Sequence, residues 1–148
     1  MATKNKFLVI FVSCLFLCGM APAGQKLSQQ TRIEKYSIEN VLSNIESVYE
    51  GEDLIGFKEL LDKDFENSLT FISNLENYFY SVKFLNLYLV LDTYLTEKDR
   101  VLVKLHWFKK AIDNSGAFTK TKGSSEFVFR NTTEGLKLIL IRKDNPFF

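Results

Sequence analysis

Cysteine is nearly missing from this chain of 148 residues, and its two copies, Cys14 and Cys18, both fall near the start. Everything after residue 18 therefore lacks both a disulfide and a thiolate metal site, and its stability must come from a hydrophobic core. Histidine occurs once, as His106, so a metal site would rest on isolated carboxylates, and none is expected. No cofactor is expected either. Charge of one sign is also lacking, with 19 basic residues against 18 acidic ones. That balance gives no reason to expect nucleic acid or an anionic membrane as a partner. No apolar run reaches the roughly 20 residues that a spanning helix needs, so no membrane span is expected.

What is present at the start is an apolar run from Phe7 to Leu17, preceded by Lys4 and Lys6 and followed by Ala21-Pro22-Ala23. A positive start, a short apolar stretch and small residues two apart read as a removable export signal over residues 1–23. The mature chain is then expected outside the cytoplasm, periplasmic or secreted, beginning near Gly24. Lys4 and Lys6 leave with the signal, so 17 basic residues remain against the same 18 acidic ones. An alternative, lipid anchoring at Cys18, normally needs a small residue where Leu17 stands, so cleavage after Ala23 is preferred. Residues 24–35, with Gln25, Gln29 and Gln30, show no apolar period and read as a flexible leader. The remainder, 36–148, suits one domain, without an internal repeat or low-complexity tract.

That domain divides into a helical half and a strand half. Ile38, Val41, Leu42, Ile45, Val48 and Tyr49 paint one helix face, with Ser37 as N-cap and Tyr36 stapled onto Val41. Gly51 is expected to stop this helix and Asp53 to cap a second one carrying Leu54, Phe57, Leu60 and Leu61. A third helix is read from Leu69, Ile72, Leu75 and Phe79, capped by Asn67 or Ser68. Tyr78 to Tyr80 fits either the end of that helix or the start of a strand.

After Ser81 the apolar period changes to two. Leu85, Leu87, Leu89 and Leu91 alternate with polar positions in Phe84 to Leu95, as do Val101, Val103, Leu105 and Trp107 in Arg100 to Ile112. If both apolar sets face the core, an odd position must oppose an odd one. A three-residue loop, Glu97-Lys98-Asp99, would do this by pairing Thr96 with Arg100 and Asp92 with Lys104. Two further strands are expected, Lys122 to Arg130 with Phe127 and Phe129 inward, and Leu136 to Arg142 with Leu138 and Leu140 inward. The class is therefore α+β, helices followed by a four-stranded antiparallel meander.

Val48-Tyr49-Glu50-Gly51-Glu52-Asp53, the run Phe57 to Phe65 and the strands Val101 to Trp107, Glu126 to Arg130 and Leu136 to Ile141 together resemble the nuclear transport factor 2-like superfamily. This group includes SnoaL-like proteins and ketosteroid isomerase. The resemblance implies a cone-shaped, cystatin-like fold, in which a curved sheet wraps against helices and leaves a pocket at its open end. It also implies dimers through the outer sheet face, and either binding or acid-base chemistry on a small apolar compound. Fold alone does not choose among these.

An isomerase-like site needs a carboxylate base and hydrogen-bond donors in an apolar cavity. The inward strand positions are nearly all Leu, Val, Phe or Trp, and offer no such set. Tyr49 and Asp53, at the corner between helices, are the pocket candidates, although Asp53 also suits a plain N-cap. His106 shares parity with Lys104 and Lys110, which places it on the polar face rather than at a catalytic centre. Trp107, Phe127 and Phe129, with Tyr49, would line an apolar ligand site or pack as core. Asp92, Lys104, Glu126 and Lys137 read as a charged ladder on the outer face. Asn131-Thr132-Thr133 is a glycosylation sequon in a turn, and Phe147 and Phe148 are expected to fold back onto the sheet or a partner. The expected function is a small exported module without catalysis, binding a small apolar ligand or a protein partner, either a second copy through the outer sheet face or another exported protein. The alternative is a SnoaL-like enzyme.

Overall fold

The computed structural model describes the backbone of residues 23–148 and side chains from residue 35 onward. The signal read over residues 1–23 lies outside the described residues, save for Ala23.

Helix α1 runs Ala23–Glu50, so Ser37 lies within it rather than capping it, and Tyr36 is exposed instead of stapled to Val41. The backbone of 24–35, read as a leader, is helical. That stretch holds no proline, and its three Gln, two Lys, one Arg, one Leu and one Glu extend a helix readily once a neighbouring packed turn supplies the nucleus. From Ile38 onward the expected stripe is buried. The helix closes when the Asp53 N–H reaches the Val48 carbonyl at 2.8 Å and the Glu52 N–H reaches that of Tyr49 at 3.1 Å. Such a closure needs one left-handed residue, and Glu52 (φ 53°) supplies it instead of Gly51.

Asp53 caps α2, Leu54–Leu60, its Oδ1 accepting from the Gly56 N–H at 2.9 Å. Helix α3, Ser68–Ser81, buries Phe71, Leu75 and Phe79. Tyr78 to Tyr80 is thus helical. Leu69, expected on the buried face, is exposed, because the inward stripe steps by four from Phe71 and leaves Leu69 about 200° away around the axis.

Strands β1 (Val82–Glu97), β2 (Arg100–Asp113), β3 (Phe118–Thr132) and β4 (Gly135–Lys143) follow as an antiparallel sheet in that order. Glu97 pairs with Arg100, so the β1–β2 turn holds two residues, not three, and Lys98 adopts φ 55°. This sets Thr96 against Val101, even against odd. The register slips between Leu91 and Thr93, and from the Leu91–Leu105 pair onward odd opposes odd. The parity requirement is therefore met by a bulge at Asp92 rather than by the loop. Lys104 consequently faces Thr93, not Asp92. A second slip, from Val128–Leu140 to Phe129–Leu138, sends Leu140 to the outer face; Ile141, opposite Phe127, packs on the core in its place.

The outer edge of β1 is covered by α1. Glu50 Oε1 accepts the Leu87 N–H at 2.8 Å, and Glu46 accepts that of Leu89. One helical turn, ~6 Å, matches two strand residues, ~6.8 Å, so carboxylates four apart satisfy amides two apart. Burial holds the Glu46 carboxyl above its usual range, against the opposing effect of the Leu89 bond.

Candidate functional site

The sequence places Tyr49, Trp107, Phe127 and Phe129 around a pocket. All four lie inside, and two of them, Tyr49 and Phe127, pack against Phe147. Phe147 is fully buried, its ring 5.4 Å from that of Tyr49, 5.0 Å from Phe57, 5.9 Å from Phe71 and 6.0 Å from Phe127. The Tyr49 hydroxyl donates to the Phe147 carbonyl at 2.8 Å. Burial drives the Tyr49 phenol far above its ordinary pKa, so it stays protonated and serves as a fixed donor. Surface clefts of about 340, 660, 350 and 320 Å³ lie elsewhere on the molecule, and these take no wall from Tyr49, Trp107, Phe127 or Phe129.

The remaining candidates are dispersed. Asp53 is spent on its helix cap. His106 lies on the outer face with its Nδ1 2.6 Å from Asp92 Oδ1, both side chains roughly half exposed. The bulge, which turned Asp92 away from Lys104, creates this pair. Lys104 instead opposes Glu126, whose carboxyl is held low by a Lys143 ammonium at 2.9 Å. Lys137 donates to the Glu59 carbonyl at 2.7 Å. Arg130 reaches Asp62 at 2.8 Å and Asp64 at 2.9 Å, tying the α2–α3 connection to the sheet. Among the described residues no three His, Cys, Asp or Glu side chains gather as a metal site, and no helix is long and apolar enough to cross a membrane.

Sequence reasoning missed Lys109. It stands on the odd, inward row of β2, between Trp107 and Ala111, and is only 8% exposed. Its ammonium lies 4.7 Å from the Tyr78 ring centre, and burial lowers its pKa to about 8. Trp107 Nε1 beside it is buried without a hydrogen-bond partner. A lysine at an odd position of an otherwise apolar row was the signal available.

The outer face offers a different surface. Tyr88 is directly opposite Phe108, Phe84 opposite Ile112, and Ile112 opposite Phe118. Phe84, Tyr88, Val90, Phe108 and Phe118 are all more than two-fifths exposed. They form one patch across three strands.

No family model matches the chain, and no curated protein sequence matches it. Solved structures do. A conserved protein from Planctomyces limnophilus superposes with a TM-score of 0.69 at 15% identity, over 76% of this chain and 95% of its own. A nuclear transport factor 2-like superfamily protein from Salmonella enterica serovar Typhimurium does so with a TM-score of 0.69 at 14% identity, over 78% and 93%. A nuclear transport factor 2-like protein with a cystatin-like fold from Novosphingobium aromaticivorans reaches 0.59 at 15% identity, over 83% and 89%. The chain therefore has the nuclear transport factor 2-like fold, helices packed on a curved antiparallel sheet. That fold serves binding proteins and enzymes alike.

Proposed function

We propose that this chain is an exported, non-catalytic assembly module that pairs with a second copy of itself through the outer face of its sheet. The observation that carries this reading is the contrast between a centre filled by Phe147 and an outer patch of Phe84, Tyr88, Val90, Phe108 and Phe118 that stays exposed. Soluble monomers rarely leave an aromatic patch spanning three strands uncovered. A two-fold pairing needs a surface that complements itself, and alternating aromatic and polar rows on the outer sheet face suit that requirement. Export is supported by Lys4, Lys6, the run Phe7 to Leu17 and Ala21-Pro22-Ala23.

One observation favours the enzyme alternative. Lys109, with its pKa lowered to about 8, would hold a fraction of free amine near neutral pH and could move a proton for a small apolar substrate. Tyr49, Asp53 and His106 add nothing to it, since each is engaged elsewhere.

The experiment is a native mass spectrum of residues 24–148, repeated under denaturing conditions. A dimer that carries no small molecule supports the assembly reading. A monomer at tens of micromolar, or release of a bound small compound on denaturation, overturns it in favour of ligand binding.

A further inference from the structure

The two edges of the sheet are finished differently. The β1 edge is covered by Glu46 and Glu50 of α1. At the other edge β4 covers β3 over Ser125–Thr132 alone, takes a single parallel bridge from Leu61 at Leu138 on its outer side, and the chain then leaves the sheet. Lys143 takes a left-handed turn, φ 65°, and the residues after it lead Phe147 into the core. The stretch of β3 from Phe118 to Ser124 therefore has β2 on one side and no strand on the other.

Which peptide groups face that open side follows from Ser124. Its carbonyl accepts the Asp144 N–H, and its N–H donates to Asp144 Oδ2, each at 3.3 Å. Successive residues alternate, so the N–H and C=O groups of Lys122, Lys120 and Phe118 point the same way. No hydrogen bond from another described residue reaches them on that side. The side chains of these three residues lie on the outer face. Thr119, Thr121 and Gly123, on the other face, are small.

Charge selects the occupant. Lys110 sits directly opposite Lys120, and like charges in that position destabilise a sheet. Lys110, Lys120 and Lys122 take part in no ion pair among the described residues. The ammonium groups of Lys110 and Lys120 instead lie over the Tyr88 and Phe118 rings, at 5.8 and 5.3 Å. A second copy adding its own β3 edge antiparallel would set these lysines opposite or diagonal to lysines in each register that brings residues 120–122 of one copy against residues 118–124 of the other. An unrelieved local conflict of this kind marks a functional surface more often than an accident.

We propose that the open edge of β3 at residues 118–124 accepts an extended acidic segment of a partner protein as an added strand, antiparallel to β3 and in line with β4. Main-chain bonds to Phe118, Lys120 and Lys122 hold it, and carboxylates opposite Lys120 and Lys122 select it. The segment's alternate side chains pass over Thr119, Thr121 and Gly123. Phe118 belongs to both the aromatic patch and this edge, but the bonds invoked here are to main-chain groups at the side of the sheet, so the proposal does not depend on pairing of copies through the outer face.

The test uses the full mature chain, labelled with nitrogen-15, and the blocked hexapeptide Thr-Glu-Thr-Glu-Val-Phe. At saturating peptide, amide hydrogen exchange at Phe118, Lys120 and Lys122 is expected to slow at least tenfold. Added salt should weaken the affinity. The same peptide with both Glu replaced by Lys should bind at least tenfold more weakly to the unaltered protein, a comparison that needs no variant to fold. The double variant Lys120→Glu with Lys122→Glu should reverse that preference. Equal binding of both peptides, or no protection at these amides, overturns the proposal and leaves the lysines as guards against edge pairing. Protection that grows with protein concentration without peptide also overturns it, since a second copy would then be the occupant. Sedimentation of the same samples reports pairing through the outer face separately.

Discussion

The two faces of this sheet are built from alternate residues of the same strands, yet they meet opposite fates. Inward, Leu87, Val103, Leu105, Phe127, Phe129 and Leu138 are almost wholly buried and share one core with Phe147. Outward, Tyr88, Phe108 and Phe118 keep 44 to 55% of their surface in solvent. In a fold whose relatives include both binders and enzymes, a filled interior moves the available chemistry to the outside. Substitutions on the two faces should then fail in different ways, inward ones through stability and outward ones through association.

The largest effect is expected at Phe147. Phe147→Ala removes a ring held by Tyr49, Phe57, Phe71 and Phe127 and should cost about 4 kcal/mol in denaturant unfolding. A cost under about 1 kcal/mol would mean that the interior tolerates an empty site, as a ligand pocket does. Next comes Tyr49→Phe, which leaves the Phe147 carbonyl without its donor and should cost about 1 to 3 kcal/mol in the same measurement.

A smaller effect comes from Lys109, the exception on the inward row. Its folded pKa, about 8, lies below the ordinary lysine value of 10.5, so between these values the unfolded chain binds more protons than the folded one. Stability should therefore rise as pH increases from about 8 towards 10, and be insensitive to this group below that window. Lys109→Met should abolish the rise in thermal melts. A wild-type profile that is flat or falling across pH 8 to 10 would contradict the placement of this ammonium.

Much of the fold was legible because period is a strong signal. The leucines at alternate positions of β1, the Val101 to Trp107 row and the α1 stripe face the core as their spacing requires, with only Leu91 and Val48 left partly exposed. Asp53 was legible as a cap, since a carboxylate three residues before Gly56 is a local arrangement. The misreadings share a cause. A bulge changes the face of every residue beyond it, and the Asp92 bulge decided the partners of Lys104 and His106, just as the Val128–Phe129 slip decided where Leu140 points. Neither bulge carries a glycine that would have marked it. The helical 24–35 backbone reflects propensity carried onward from a packed turn, which a polar composition hides. The site was less legible than the fold. Phe147 reaches Tyr49 across 98 residues, and no local pattern announces a contact that fills the place where a ligand was expected.

The central claim is that the inward residues hold the fold while the outer face associates. Sedimentation velocity on Phe108→Lys addresses it most directly, because that substitution lies in the middle of the patch and should change stability by no more than about 0.5 kcal/mol. The account predicts a folded monomer under conditions in which unaltered residues 24–148 form a dimer. A Phe108→Lys protein that stays dimeric, or an unaltered chain that is monomeric throughout, would contradict it.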